Sequence, residues 1–174
     1  LELVHGCGMS AERWLLERQG EMVFSWGEFR QLSKEISMKN ICTQGCAVLM
    51  SQDDPLAASN HLSCTMLREH SFILPAAQDE EFARHYRRLL EELKLSASGN
   101  LIAQDSDSLF FMIRAGMGMA LVPQGIFDAE PQGMAVRPLD DAGAFGSWKV
   151  LYRREDTLRP LKHLLGILEE KYVD

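Results

Sequence analysis

The stretch Asp107-Ser108-Leu109-Phe110-Phe111-Met112-Ile113-Arg114-Ala115-Gly116-Met117-Gly118-Met119-Ala120-Leu121-Val122-Pro123 decides the fold. Leu109, Met112 and Ile113 recur at helical spacing and mark one inner face. Gly116-Met117-Gly118 ends that helix. Met119 to Val122 is then an apolar run of strand length, closed by Pro123. Just upstream, Leu101-Ile102-Ala103 reads as a strand, and Asp105-Ser106-Asp107-Ser108 supplies caps for the helix between. A strand–helix–strand unit this compact predicts parallel strands joined by a right-handed crossover, and so an α/β fold.

Working outward, Asp79 to Leu95 is the clearest helix, with Phe82, Tyr86, Leu89, Leu90 and Leu93 on one face and Asp79, Glu80 and Glu81 in its first turn. Ser96 to Asn100 is expected to break it. Phe72-Ile73-Leu74, stopped by Pro75, is a short buried strand. Cys46 to Met50 is another, ended by Ser51-Gln52-Asp53-Asp54-Pro55. Ile36 and Met38 alternate with polar neighbours, as in an edge strand, and Ser63 to Leu67 reads as one helical turn. Leu1 to Val4 and Glu21 to Trp26 are strand candidates. Between them a helix is capped by Ser10, carries Ala11, Trp14 and Leu15 inward, and stops at Gly20. Trp148 to Arg153 is the last strand. Thr157 caps the final helix, with Leu161, Leu164, Leu165 and Leu168 inward.

Composition narrows the function. The chain has 174 residues and a net charge of −7, from 18 Lys+Arg against 25 Asp+Glu. That balance argues against direct nucleic-acid binding, which needs clustered cations. No apolar run approaches the ~18 residues of a membrane span. Cys7, Cys42, Cys46 and Cys64 are read as reduced thiols of a cytoplasmic protein.

Catalytic patterns are not expected. Gly116-Met117-Gly118 follows a helix instead of preceding one, so it is no dinucleotide fingerprint. Cys42 and Cys46 have no second ligand pair, so no metal is assigned. Asp53 and Asp54 are turn formers before Pro55. Asp105 to Ser108 stands apart, because it joins the carboxyl end of a strand to a helix N-terminus. Ligands of open α/β sheets bind at such ends, and free N–H groups there favour an anion. Asp105 and Asp107 oppose an anion unless they turn away.

The same residues resemble the hallmark of LysR-type transcriptional regulators, in which a helix ending in Gly-x-Gly runs into an apolar strand closed by Pro. Val48 to Ala57 resembles that family's strand followed by Asp-His-Pro-Leu-Ala, with Asp54 in place of His. Leu16 to Val23, Leu62 to Leu67, Phe72 to Leu74 and Val150 to Tyr172 fall in the family's order. The resemblance implies an effector-binding domain of type 2 periplasmic-binding-protein architecture: two Rossmann-like lobes joined by two crossing strands, with a small molecule between them. The lobes are then 1–45 with 147–174, and 46–146. The crossings fall near Cys46–Met50 and Ser147–Leu151.

By the same mapping the family's first strand and helix, its winged helix-turn-helix and its linker helix lie outside this chain. The implied function is effector sensing in a bacterial regulator, with no catalytic residue, no cofactor and no membrane partner. The effector is a metabolite, often a carboxylate in this family. The implied partners are that effector, a second copy in a dimer or tetramer, and DNA only through the absent N-terminal domain. The implied ligand-binding residues are Ser25, Trp26, Pro75, Ala76, Gln78, Ser106 and Ser108. A solute-binding protein for uptake, an enzyme on the same fold and a truncated fragment serving as an interaction module are the alternatives.

Overall fold

In the computed structural model, residues 10–26, 32–76, 80–155 and 159–172 are described. The expected strand Leu1–Val4, the Thr157 cap and Gln78 lie outside these residues. The architecture is mixed α/β, and the chain divides into two units. The first comprises Leu1–Thr43 with Ser147–Asp174, the second Gln44–Gly146.

In the first unit, helix α1 (Ala11–Leu16) carries Ser10 at its N-cap, whose Oγ accepts the Arg13 amide. Gly20 does not make the expected stop. The helix ends at Leu16, and the turn is taken by Arg18 in the left-handed region at φ 56°. Strand β1 (Met22–Trp26) runs antiparallel to β7 (Ala144–Arg153), with Met22 opposite Tyr152 and Trp26 opposite Trp148. Leu15, Ile36 and Leu151 form one small core cluster; Ile41, Val150 and Leu165 form another, with Leu165 supplied by α4 (Arg159–Tyr172). Arg153 is buried in this unit, and its Nη1 donates to the carbonyls of Leu15 and Gly20, both at 2.7 Å. The Leu15 carbonyl also accepts the Arg18 amide at 3.1 Å, so Arg153 adds a second bond there and ties the end of α1 to the turn at Gly20.

Strand β2 (Ile36–Ser51) is longer than the sequence suggests. The edge-like segment at Ile36 and the apolar run at Cys46 are one continuous strand. In its first half only Ile36 and Ile41 are buried, while from Cys46 to Ser51 every residue is buried. The reason lies in its neighbours. In the second unit both edges of β2 are paired, by β5 (Ala120–Pro123) and by β6 (Met134–Pro138), both antiparallel. Strand β6 falls where only a Gly-, Pro- and Asp-rich loop was expected.

The second unit also holds the parallel pair. Strand β3 (Ser71–Pro75) pairs with β4 (Ser96–Ala103), from Ser71 opposite Ser96 to Pro75 opposite Ala103. Ser96 to Asn100 is therefore strand and not a break; the break is earlier, at Lys94, in the left-handed region at φ 56°. Strands β4 and β5 are not neighbours. Both run parallel to β3, which lies between them, and β3 meets the chain leading into β5 at the Phe72–Met119 bridge. Parallel pairing is thus less extensive than expected, since the β1–β7, β2–β5 and β2–β6 pairs are all antiparallel.

Helix α2 (Glu80–Glu92) buries Ala83, Tyr86, Leu89 and Leu90. Helix α3 (Ser106–Arg114) seats Ile113, fully buried, against Ala47, Leu49, Ile73 and Val122, with Leu109 and Met112 beside it. Ser63 to Leu67 forms successive tight turns, with the Met66 amide bonded to the Ser63 carbonyl. Asp54 caps the 3₁₀ turn Pro55–Ala58, and its Oδ1 accepts the Leu56 amide at 2.9 Å.

Candidate functional site

The carboxyl end of the β3–β4 pair is built from two short segments. Strand β3 ends at Pro75, and the Ala76 amide donates to the Ala103 carbonyl at 2.8 Å, so the register holds to the last residue of β4. Pro75 and Ala76 are half-buried. Beyond Ala103 the chain turns through Gln104 and Asp105 into α3.

That turn is fixed by a reciprocal capping box. The Asp105 Oδ1 accepts the Ser108 amide at 2.8 Å. The Ser108 Oγ accepts the amides of Gln104 and Asp105, each at 3.0 Å, and donates to the Asp105 carbonyl at 2.9 Å. The Ser108 amide, and after it the Ser108 hydroxyl, hold the Asp105 carboxyl below its ordinary value of 3.8. Asp105 is thus an ionised cap near neutral pH.

The two serines expected to act alike differ. The Ser108 hydroxyl is consumed by the cap. Ser106, in the first turn of α3, is exposed and its hydroxyl has no hydrogen-bond partner among the described residues. Gln104 was not singled out in the sequence. Its side chain is exposed and likewise without a partner among the described residues, while its amide is held by Ser108. Its place immediately after the apolar run Leu101–Ala103 was the available signal.

Pro75, Ala76, Ser106 and Ser108 therefore belong to one edge of the second unit. Ser25 and Trp26 belong to the first unit, at the end of β1, where Ser25 is half-buried opposite Lys149.

A pocket of about 230 Å³ lies at the opposite end of β3. Ser51, Asp54, Glu69, His70, Ser71 and the Gly116–Met119 turn line it. Gly118 comes close to the chain there: a Cβ added to it would stand 2.8 Å from the Ser71 carbonyl oxygen.

The thiols are poorly suited to chemistry. Cys42, Cys46 and Cys64 are free. Burial, with Cys64 nearby, pushes the Cys46 thiol up to about 12. Burial, with the Asp141 carboxylate, pushes Cys64 up to about 11. Both are protonated near pH 7 and thus weak nucleophiles. Among the described residues no helix is long and apolar enough to cross a membrane.

Comparison with known proteins gives the family. The chain is similar in structure to HinK, a LysR family transcriptional regulator from Pseudomonas aeruginosa, with a TM-score of 0.75 and 15% identity over 92% of this chain and 56% of that one. It is similar to the CcmR regulatory domain of Synechocystis PCC6803 in complex with 2-PG (TM-score 0.72, 14% identity, 93% of this chain and 78% of that one). It is also similar to the BenM effector binding domain with its effector benzoate (TM-score 0.71, 18% identity, 91% and 72%). The chain spans about half of the longer regulators, 56% of HinK and 53% of full-length BenM. No curated protein sequence matches it. The family model for the LysR substrate binding domain matches residues 1–172, and the chain belongs to that family.

Proposed function

We propose that the chain is the effector-sensing part of a bacterial LysR-type transcription regulator and binds a small metabolite. The observation that carries this reading is the family match over residues 1–172. The rigid edge formed by Ala76 and the Asp105–Ser108 cap supports it, because open α/β sheets bind ligands at the carboxyl ends of their parallel strands. In the second unit Pro75, Ala76 and Ser106 contact the effector, and Ser108 holds the edge in place. Gln78 follows the same strand. Ser25 and Trp26 are the contacts assigned to the first unit. The two units correspond to the two lobes of the family's fold.

The regulator acts in the cytoplasm as a dimer or tetramer. Effector binding shifts a conformational equilibrium that a linked helix-turn-helix domain reads out on DNA. In this reading the domain binds its metabolite and returns it unchanged. A thermal-shift screen of small metabolites against this chain tests the proposal. At least one compound raises the melting temperature, and Ser106→Ala weakens that compound's binding. A compound that binds but is chemically converted, or whose binding ignores Ser106→Ala, contradicts the reading.

A further inference from the structure

The pocket at the amino end of β3 takes no part in the proposed effector edge, and its burial is graded. Ser51 and Met119 are buried and make its floor. Asp54 and His70 are half-buried and make its walls, while Glu69 and Met117 stand exposed at its rim. Gly116 and Gly118 leave one side without side chains, and a Cβ at Gly118 would meet the Ser71 carbonyl oxygen at 2.8 Å. The volume is about 230 Å³. A cavity of about 150 Å³ already takes a benzene ring, so a planar group of that size fits with part of a stem.

The polar groups in this pocket have capacity to spare. Groups drawn partly out of water are normally paired. The Asp54 Oδ1 accepts the Leu56 amide at 2.9 Å, and its Oδ2 has no partner among the described residues. The Ser51 Oγ accepts the Asp53 amide at 3.3 Å, and its proton has no acceptor among them. The Glu69 carboxylate and the His70 imidazole likewise have no partner there. No Lys or Arg lines the pocket; Arg68 precedes Glu69 but is not in the lining. Two carboxylates with open oxygens therefore share one concave site with no cation of its own.

We infer that this pocket is an interaction surface that seats an arginine side chain presented by a basic segment of a partner protein. A guanidinium offers five N–H donors in a planar fork, which can serve Asp54 and Glu69 together. Its apolar stem then lies along Met117, which is 45% exposed. The chain's net charge of −7 draws a basic partner toward it. This surface goes beyond the proposed effector site and is separate from it, so its failure leaves that reading intact.

N-acetylarginine amide and N-acetylcitrulline amide are a matched pair of probes, alike in shape and differing in charge. Each is titrated into the isotopically labelled chain and followed at the amide resonances of Asp54, His70 and Met117. The expected result is the arginine probe binding about tenfold more tightly than the citrulline probe. Added salt weakens the arginine probe and leaves the citrulline probe unchanged. Asp54→Asn removes the preference while keeping the melting temperature, because Asn caps as well as Asp. Glu69→Gln, at the exposed rim, weakens the arginine probe less than Asp54→Asn does. Equal binding of the two probes, a preference that survives Asp54→Asn, or no shift at these resonances overturns the inference. Free arginine binding more tightly than its blocked form would give the pocket to the amino acid itself and overturn the partner. Self-association of the chain that Asp54→Asn abolishes would give it to a second copy, with the same consequence.

Discussion

The two ends of β3 differ in a way that separates shape from chemistry. At its amino end Ser51, Asp54, Glu69–Ser71 and Gly116–Met119 line a pocket, and Gly118 lies close against the Ser71 carbonyl. At its carboxyl end there is a pinned edge with two exposed polar side chains, Gln104 and Ser106, that have no partner among the described residues. The pocket is the more visible feature, but free hydrogen-bonding groups on a fixed backbone are what the effector can use. The amino end should therefore govern stability and the carboxyl end effector binding.

The largest expected effect is at the amino end. Phe72 is fully buried, opposite Ala97 on one side and Met119 on the other. Phe72→Ala should cost about 3–5 kcal/mol in denaturant unfolding, as expected for a large buried aromatic. A cost below about 1 kcal/mol would show that this end is not the packed one.

Gly118→Ala comes next. Its added methyl would press on the Ser71 carbonyl, which also accepts the Met119 amide at 2.9 Å. Overpacking against backbone should cost about 2–3 kcal/mol and speed amide exchange at Ile73 and Met119. Unchanged exchange at those amides would contradict the account.

Between the two ends stands Tyr86. Strands β3 and β5 meet at Phe72–Met119, and further along the buried Tyr86 hydroxyl accepts the Leu121 amide at 2.9 Å. Tyr86→Phe removes that acceptor and should cost about 1–2 kcal/mol, read by thermal unfolding.

The smallest stability effects are expected at the carboxyl end, where the two serines part company. Ser108→Ala should cost about 1 kcal/mol through loss of the cap, and Ser106→Ala should cost nothing measurable. The cap also has a pH signature. Asp105 titrates below its ordinary value in the folded chain, so its contribution is full above that value and is lost as pH falls through the lower folded one. Asp105→Asn should therefore flatten part of the stability loss below about pH 4. Equal stability losses in both serine variants would dissolve the distinction between them.

Much of this was legible in the sequence because it depends on local pattern. The α2 and α3 faces, the β3 run and the β5 run closed by Pro123 follow from apolar spacing and from Gly and Pro punctuation. What was not legible depends on partners distant in the chain. β2 is buried throughout from Cys46 to Ser51 where β5 and β6 pair with both its edges, and it continues back to Ile36 beside β7, which nothing within residues 39–45 announces. β4 begins at Ser96, in a run of small polar residues, because β3 supplies its pairing. Arg153 is buried where it donates to two carbonyls more than 130 residues away, Leu15 and Gly20. At the site, the cap residues were readable as a group. Their division into Ser108, consumed by the fold, and Ser106, without a partner among the described residues, rests on hydrogen bonds that spacing cannot rank.

The most direct test of the central claim is an amide correlation spectrum of the chain during titration with whichever metabolite most raises its melting temperature. The account predicts that the largest shifts fall at Ala76, Gln104 and Ser106. Shifts concentrated instead at Asp54, His70 and Met117, at the other end of β3, would contradict it.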